Sequence, residues 1–376
     1  MSFTQTECLL RAQISPRLKL IDSSNKKETA KDPRPDCDNH LLPEGEISEQ
    51  YDDPTKRIAS KMDFHRTAGL TEFKKDNEDD PFEPYKPPML SCENENPAGC
   101  ATRGQICVYV NERFARQPLC FQYLVTIVGI HAHITRFDRA GLVVSELFNY
   151  GDNPSVFAEF YWAITHLSRE KLGWDATATE ATAEETQLLR DSLEEFKNNG
   201  ISKPDTYTTF DPKVPVYRLS VNDDNDEDNS RNVIVSMPIN VERSVPGRGT
   251  KWFIGYDMKD RRLVYVKDTW APSHPAFPSE GQILKDLDAQ QVSGISKLIC
   301  GGKVGADTDR EWQTTATQDI ASAYSDEPWL GPTSKYLQPL VHERYVFEIA
   351  YPVTSLRRTK DVIWVFRDVA IGAFRQ

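Results

Sequence analysis

Between Val245 and Glu280 the chain carries a glycine pair, Val245-Pro246-Gly247-Arg248-Gly249-Thr250-Lys251, followed by a strand-like run from Trp252 to Asp257. A turn at Met258 to Arg261 leads into a second run, Arg262 to Val266, which ends at Lys267. Ser279-Glu280-Gly281-Gln282 then reads as an N-cap with a reciprocal Gln, opening an amphipathic helix with Ile283, Leu284 and Leu287 inward. A hairpin followed by a capped helix calls for an antiparallel sheet with a helix laid on it, an α+β arrangement. Glycines between strands let backbone N–H groups approach phosphate oxygens without side-chain obstruction. A lysine on the adjacent strand brings a point charge to the same phosphates. Hairpin turns also use glycine for positive φ, so the pair alone does not decide. Glu280 has two readings, a partner that steadies the Lys267 ammonium or a carboxylate that complements the helix dipole.

The remaining composition bounds what such a unit does. With 376 residues there is room for two domains and a tail. A formal charge of -12 opposes non-specific attraction to nucleic acid or anionic membrane, and neither is expected as a partner. No run approaches the ~20 apolar residues of a membrane span, and Met1 to Arg11 lacks the features of a secretory signal. The chain is therefore read as intracellular, cytoplasmic or nuclear. Seven cysteines, an odd number spread along the length, fit reduced thiols. Cys92, Cys100, Cys107 and Cys120 lack paired zinc spacing, and His131 and His133 share a strand face with no third ligand, so no metal site is expected.

Residues 1–101 are rich in Asp, Glu, Lys, Pro and Asn and read as a largely disordered tail with short helices around Cys8 to Ile21 and Asp53 to Phe64. Residues 102–210 read as an α+β unit. It has a helix from Gln105 to Arg116, a meander over Cys120–Gly129, Ala132–Asp138 and Gly141–Phe148, a helix from Ser155 to Leu167, and an acidic helix from Glu180 to Lys197. Residues 211–350 hold the hairpin and Lys267, with strands Val216–Val221 and Asn232–Met237 flanking an acidic loop at 222–230. A helix on a meander is also the layout of nuclease-like cores, which place an acid and a Glu-x-Lys on adjacent strands to hold magnesium. Glu146 is followed by Leu147 and Phe148, so that reading is set aside.

Several motifs in one order narrow the choice. Arg103-Gly104-Gln105-Ile106, Ile134 to Gly141, Val144-Ser145-Glu146 and His166-Leu167-Ser168 resemble the N-terminal region of the fungal-type protein kinase family. Gly247-Arg248-Gly249-Thr250, Val266-Lys267-Asp268-Thr269-Trp270, Ser279-Glu280-Gly281 and Gln313-Thr314-Thr315 resemble its kinase small lobe. The resemblance implies an ATP-dependent scaffold for phosphoryl transfer to protein Ser or Thr. Gly247, Arg248, Gly249, Thr250 and Lys267 would lie around the nucleotide, Glu280 would partner Lys267, ATP is the cofactor and magnesium the family's metal. Arg344 to Glu348 would lead to the hinge that bonds adenine, and 351–376 would begin the large lobe.

Three departures accompany this. The third loop glycine is Trp252, an expected arginine after Trp270 is Ala271, and no His-Arg-Asp or Asp-Phe-Gly occurs, so the catalytic Asp and the magnesium ligands are missing. Phe366-Arg367-Asp368 falls inside the helix expected over Thr359–Phe374 and is no substitute. The first expectation is a truncated kinase, inactive alone. The alternative is a non-catalytic, pseudokinase-like nucleotide- or protein-binding module, recruiting a protein partner through Phe366, Val369 and Phe374. A third is a large lobe supplied in trans. Oligomeric state is left open.

Overall fold

The computed structural model describes residues 17–22, 35–41, 62–84, 91–198, 210–223, 230–273, 278–292, 295–305, 312–327, 330, 332–349, 363, 366 and 367. Among the described residues it is a mixed α+β structure with two sheets and five α-helices. The first elements are β1 (Leu18–Asp22), β2 (Cys37–Leu41), β3 (Gly69–Lys74), α1 (Pro97–Arg116), β4 (Phe121–Val128), β5 (His131–Asp138), β6 (Gly141–Val144), β7 (Phe148–Asn149) and α2 (Ser155–His166). Strands β1, β2 and β3 pair antiparallel, α1 crosses over, and β4 returns parallel to β3, as a parallel neighbour requires a long connection. Next, β5 pairs antiparallel with β4, and β6 and β7 pair with β5.

Alternation along β4 explains why this sheet is covered on both faces. Leu124 joins Ile106, Tyr109, Val110 and Phe114 of α1, while Val125 and Ile127 join Phe157, Tyr161 and Ile164 of α2. Leu18, Cys37 and Leu70 belong to these same cores. The expected tail is thus corrected for its described residues. Sparse apolar residues there suffice because each fills a place beside an existing sheet, and β1 replaces the helix expected up to Ile21. Helix α1 also starts earlier than expected, at Pro97, because the Asn96 side chain accepts from Gly99 N at 2.7 Å.

The chain continues as β8 (Ala178–Glu180), α3 (Ala183–Asn198), β9 (Tyr217–Asn222), β10 (Ser230–Val235), β11 (Asn240–Val241), β12 (Lys251–Asp257), β13 (Arg262–Pro272), α4 (Glu280–Ala289), β14 (Leu298–Lys303), α5 (Thr317–Ala323) and β15 (Leu340–Glu348). Two compact units result. One holds residues up to Asp175 with Arg243–Gly247 and Thr315–Pro339, and the other holds Ala176–Glu242, Arg248–Thr314 and the chain from Leu340. The acidic helix expected within 102–210 therefore belongs to the second unit. Its Leu189 and Leu193 pack there against Val216, Ile234, Ile254 and Tyr256. A reciprocal cap starts it, with Glu185 N donating to Thr182 Oγ1 and Thr182 N to Glu185 Oε2.

The second sheet runs β14-β15-β13-β12-β10-β9-β8, with β11 paired to β12. It curls until Arg344 on β15 donates to the Ser220 carbonyl on β9 at 2.9 Å. Most of the acidic loop at 222–230 and of the helices expected over Asp53–Phe64 and Thr359–Phe374 lies outside the described residues, and Phe366 is exposed and helical. No helix among the described residues is long and apolar enough to cross a membrane.

Candidate functional site

Strand β13 continues past Lys267 to Pro272, so the lysine sits mid-strand, opposite Trp252 on β12 and Tyr345 on β15. Its Nζ donates to both carboxylate oxygens of Glu280, at 2.6 and 2.5 Å. The same ammonium lies 5.3 Å from the centroid of the Trp252 ring, and Arg248 Nη2 donates to Glu280 Oε2 at 3.4 Å. Two cations thus share one carboxylate. The lysine side chain is 11% exposed and the glutamate 30%, so the pair is shielded on the sheet side and open on the other.

Two local features place Glu280. Ser279 Oγ accepts from Gln282 N, capping the helix as expected. The reciprocal half of the expected cap does not form, because the Gln282 side chain bonds Asp286 one turn on at 2.7 Å. Gly281 is the second feature. A Cβ there would stand 2.7 Å from Cε1 of the fully buried Tyr345, so only glycine lets the first turn approach β15 this closely. Tyr345 is itself fixed, its hydroxyl donating to Glu343 Oε2 at 2.8 Å, and burial pushes its pKa up. Leu284 and Leu287 are half-buried, whereas Ile283, expected inward, is 44% exposed.

Asp268 and Trp270 alternate with Lys267 onto the opposite face. Asp268 accepts from His342 Nε2 at 2.8 Å and from Arg344 Nε at 2.9 Å. Burial works against its charge, but His342 and Arg344 hold the carboxyl well below its ordinary range. Trp270 stacks on the His342 ring, and Gln313 Oε1 lies 2.7 Å from His342 Nδ1. The Lys-Asp-Thr-Trp and Gln-Thr-Thr motifs are thereby joined behind the lysine in a polar knot that locks β13 to β15. Their separation in sequence hides this.

Gly249 has φ +50° and Gly247 φ +120°, which explains the glycine pair as backbone necessity. Arg248 O accepts from Trp270 N at 2.8 Å, and Thr250 Oγ1 lies 2.9 Å from Thr269 Oγ1. Arg248, Gly249, Thr250, Lys267 and Glu280 all belong to the second unit. Gly247 belongs to the first, where its N–H donates to the Arg139 carbonyl at 2.8 Å. In that first unit Asp138 accepts from Ala140, Ala316 and Thr317 N and from Arg136. It caps α5 and is held below its usual range against the cost of burial.

The cover that α3 provides is not legible in the sequence. Leu189 of α3, fully buried, covers the Lys267 face of the sheet toward Glu348, against Ile254 and Tyr256, with Leu263, Tyr265 and Ile349 packed around them. The available signal was an i, i+4 leucine pair on an otherwise acidic helix.

A mid-strand lysine held by a glutamate from the first turn of the next helix is the ion pair with which protein kinases orient nucleotide phosphates. The fold and this pair define a protein-kinase-like chain. The model of the fungal protein kinase family matches residues 87–368, and the chain belongs to that family. Comparison with curated proteins and with solved structures gave no match.

Proposed function

We propose that the second unit holds nucleotide phosphates through Lys267, with Glu280 fixing the ammonium and Arg248, Gly249 and Thr250 beside it. The observation that carries this reading is the assembled Lys267–Glu280 pair, bonded through both carboxylate oxygens. Its donor chemistry fits the phosphates of ATP, two cations flanking a position with one open side. Bound magnesium would neutralise charge on those phosphates, but its family ligands lie in Asp-Phe-Gly and the catalytic loop, and these 376 residues contain neither. Transfer to a protein hydroxyl is therefore not assigned to this chain alone.

A second reading, a pseudokinase-like binding module, is favoured by α3. In the kinase layout adenine bonds to the backbone that follows β15, and α3 covers the sheet face leading there. The two readings separate by calorimetry of the purified chain with ATP and with inorganic triphosphate, with and without magnesium. Phosphate holding predicts binding that Lys267→Ala abolishes. The α3 cover predicts that the two ligands bind alike, because adenine adds no contact. No binding of either by a folded chain overturns the phosphate site, and labelled phosphate transferred to a protein substrate overturns the inactive reading.

A further inference from the structure

The acid and Glu-x-Lys that Glu146 fails to supply occur elsewhere, in the segment expected to be a tail. Glu72-Phe73-Lys74 ends β3, and Asp36 stands one residue beyond the paired stretch of β2, in register with Glu72. Phe73 N donates to Asp36 Oδ2 at 2.9 Å, fixing that approach. Lys74 Nζ donates to Glu72 Oε1 at 2.7 Å and to Gln105 Oε1 of α1 at 2.9 Å. These residues precede the part matched by the kinase family, apart from Gln105, which lies within it.

Three observations point to a cation site. Like charges directly opposite on neighbouring strands are unfavourable, so Asp36 facing Glu72 costs stability without a counter-ion beyond the single lysine. Glu72 is 1% exposed, and its second oxygen, Oε2, has no hydrogen-bond partner. Thr126, opposite Glu72 on the parallel neighbour β4, is 0% exposed, and its Oγ1 also lacks a partner. A fully buried carboxylate oxygen and a fully buried hydroxyl, both unpartnered on one sheet face, are what a bound ion with its water would satisfy.

The setting also fits a reaction. Lys74 closes the carboxyl end of the parallel β3–β4 pair, the end at which open α/β sheets take ligands, and its side chain is 18% exposed. Hard oxygen donors from one or two carboxylates suit Mg²⁺ or Mn²⁺, which complete their shells with water and a substrate phosphate. We propose that Asp36 and Glu72 hold one such cation and that the site hydrolyses a phosphodiester. The cation-bound water loses a proton to solvent, its oxygen forms a bond to phosphorus, and the bond to the leaving oxygen breaks. That oxygen takes up a proton. Lys74 sets its ammonium beside the attacked phosphate, and Gln105 positions Lys74. The acidic chain gains its hold on a polyanion through the cation rather than through a basic patch.

The test uses the full chain without nucleotide. Calorimetry with MnCl₂ and the thermal shift it produces read the ion, and cleavage of a labelled single-stranded oligonucleotide reads hydrolysis. The wild type is expected to bind one Mn²⁺ and gain thermal stability. Glu72→Gln and Asp36→Asn each weaken binding by about tenfold or more, and Glu194→Gln, on the exposed face of α3, leaves it unchanged. Lys74→Met keeps the ion but loses about a hundredfold in cleavage. Asp36 lies at a strand end, so its variant keeps the test decisive should the buried substitution unfold. Absence of stoichiometric Mn²⁺ binding, or binding indifferent to both acid variants, overturns the site. Binding without Mn²⁺-dependent cleavage overturns the hydrolytic assignment.

Discussion

Substitution Gly281→Ala sets two effects of opposite sign against each other. Alanine favours a helix over glycine by about 1 kcal/mol, and on an open helix surface it would raise stability. Here the new methyl would stand 2.7 Å from Tyr345 Cε1, where ordinary contact begins at 3.4 Å. Either the first turn of α4 retreats by roughly that deficit, ~0.7 Å, or Tyr345 moves. Tyr345 is fully buried and held by Glu343, so the helix retreats and draws Glu280 from Lys267. Overpacking of this kind costs about 1–3 kcal/mol. After the propensity gain, the variant should be less stable by about 1 kcal/mol. Urea unfolding followed by tryptophan fluorescence measures the difference, and Tyr345→Leu, which removes the obstructing ring edge, should make the same alanine neutral or stabilising. A single Gly281→Ala variant at least as stable as the wild type would refute the close approach and, with it, the account of how Glu280 is placed.

Asp268→Asn should cost about 3–5 kcal/mol at neutral pH, because it leaves the buried Arg344 and His342 without their charge partner. The folded-state pKa of Asp268 is depressed, so its contribution is present above the ordinary carboxyl value near pH 4 and is lost as pH falls further. Denaturation curves from pH 7 to 3 test this, and an unchanged midpoint in the variant would count against the knot. Glu72 behaves oppositely. Burial pushes it up to about 7; Lys74 and the Asp36 backbone N–H oppose the shift, and the Asp36 carboxylate adds to it. Metal-free stability should therefore be fullest below about pH 4.3 and fall by on the order of 3 kcal/mol as pH rises to 7. Glu72→Gln should flatten that decline in urea titrations with EDTA, and equal slopes in both proteins would contradict the buried, charged setting.

Local pattern made much of the second unit legible. Strand alternation located β9, β10, β12 and the first half of β13, and Ser279 announced the start of α4, because these features depend on neighbours within a few residues. The same holds for Lys267 and Glu280 as candidate residues. Their bond was only an expectation, since it requires α4 to lie against β15, and that depends on Gly281 meeting Tyr345 far along the chain. Gln282 shows the limit of motif reading, because its side chain had a competing partner one turn away.

Pairings between distant segments were not legible. Residues 17–74 are poor in apolar groups, and composition argues against order there. Leu18, Cys37 and Leu70 nevertheless become core, because strands already present supply the surface they need. The sequence by itself determined most of the strands and helices between Gln105 and Ala289, the turn glycines, the helix cap and the membership of the kinase motifs, since each is written in short-range spacing. Tertiary structure alone decided that Asp36 faces Glu72, that α3 covers the sheet beside Lys267, and that Asp268 meets His342 and Arg344. Those arrangements follow from sheet register and burial, which bring together residues separated by tens of positions and which no local pattern encodes.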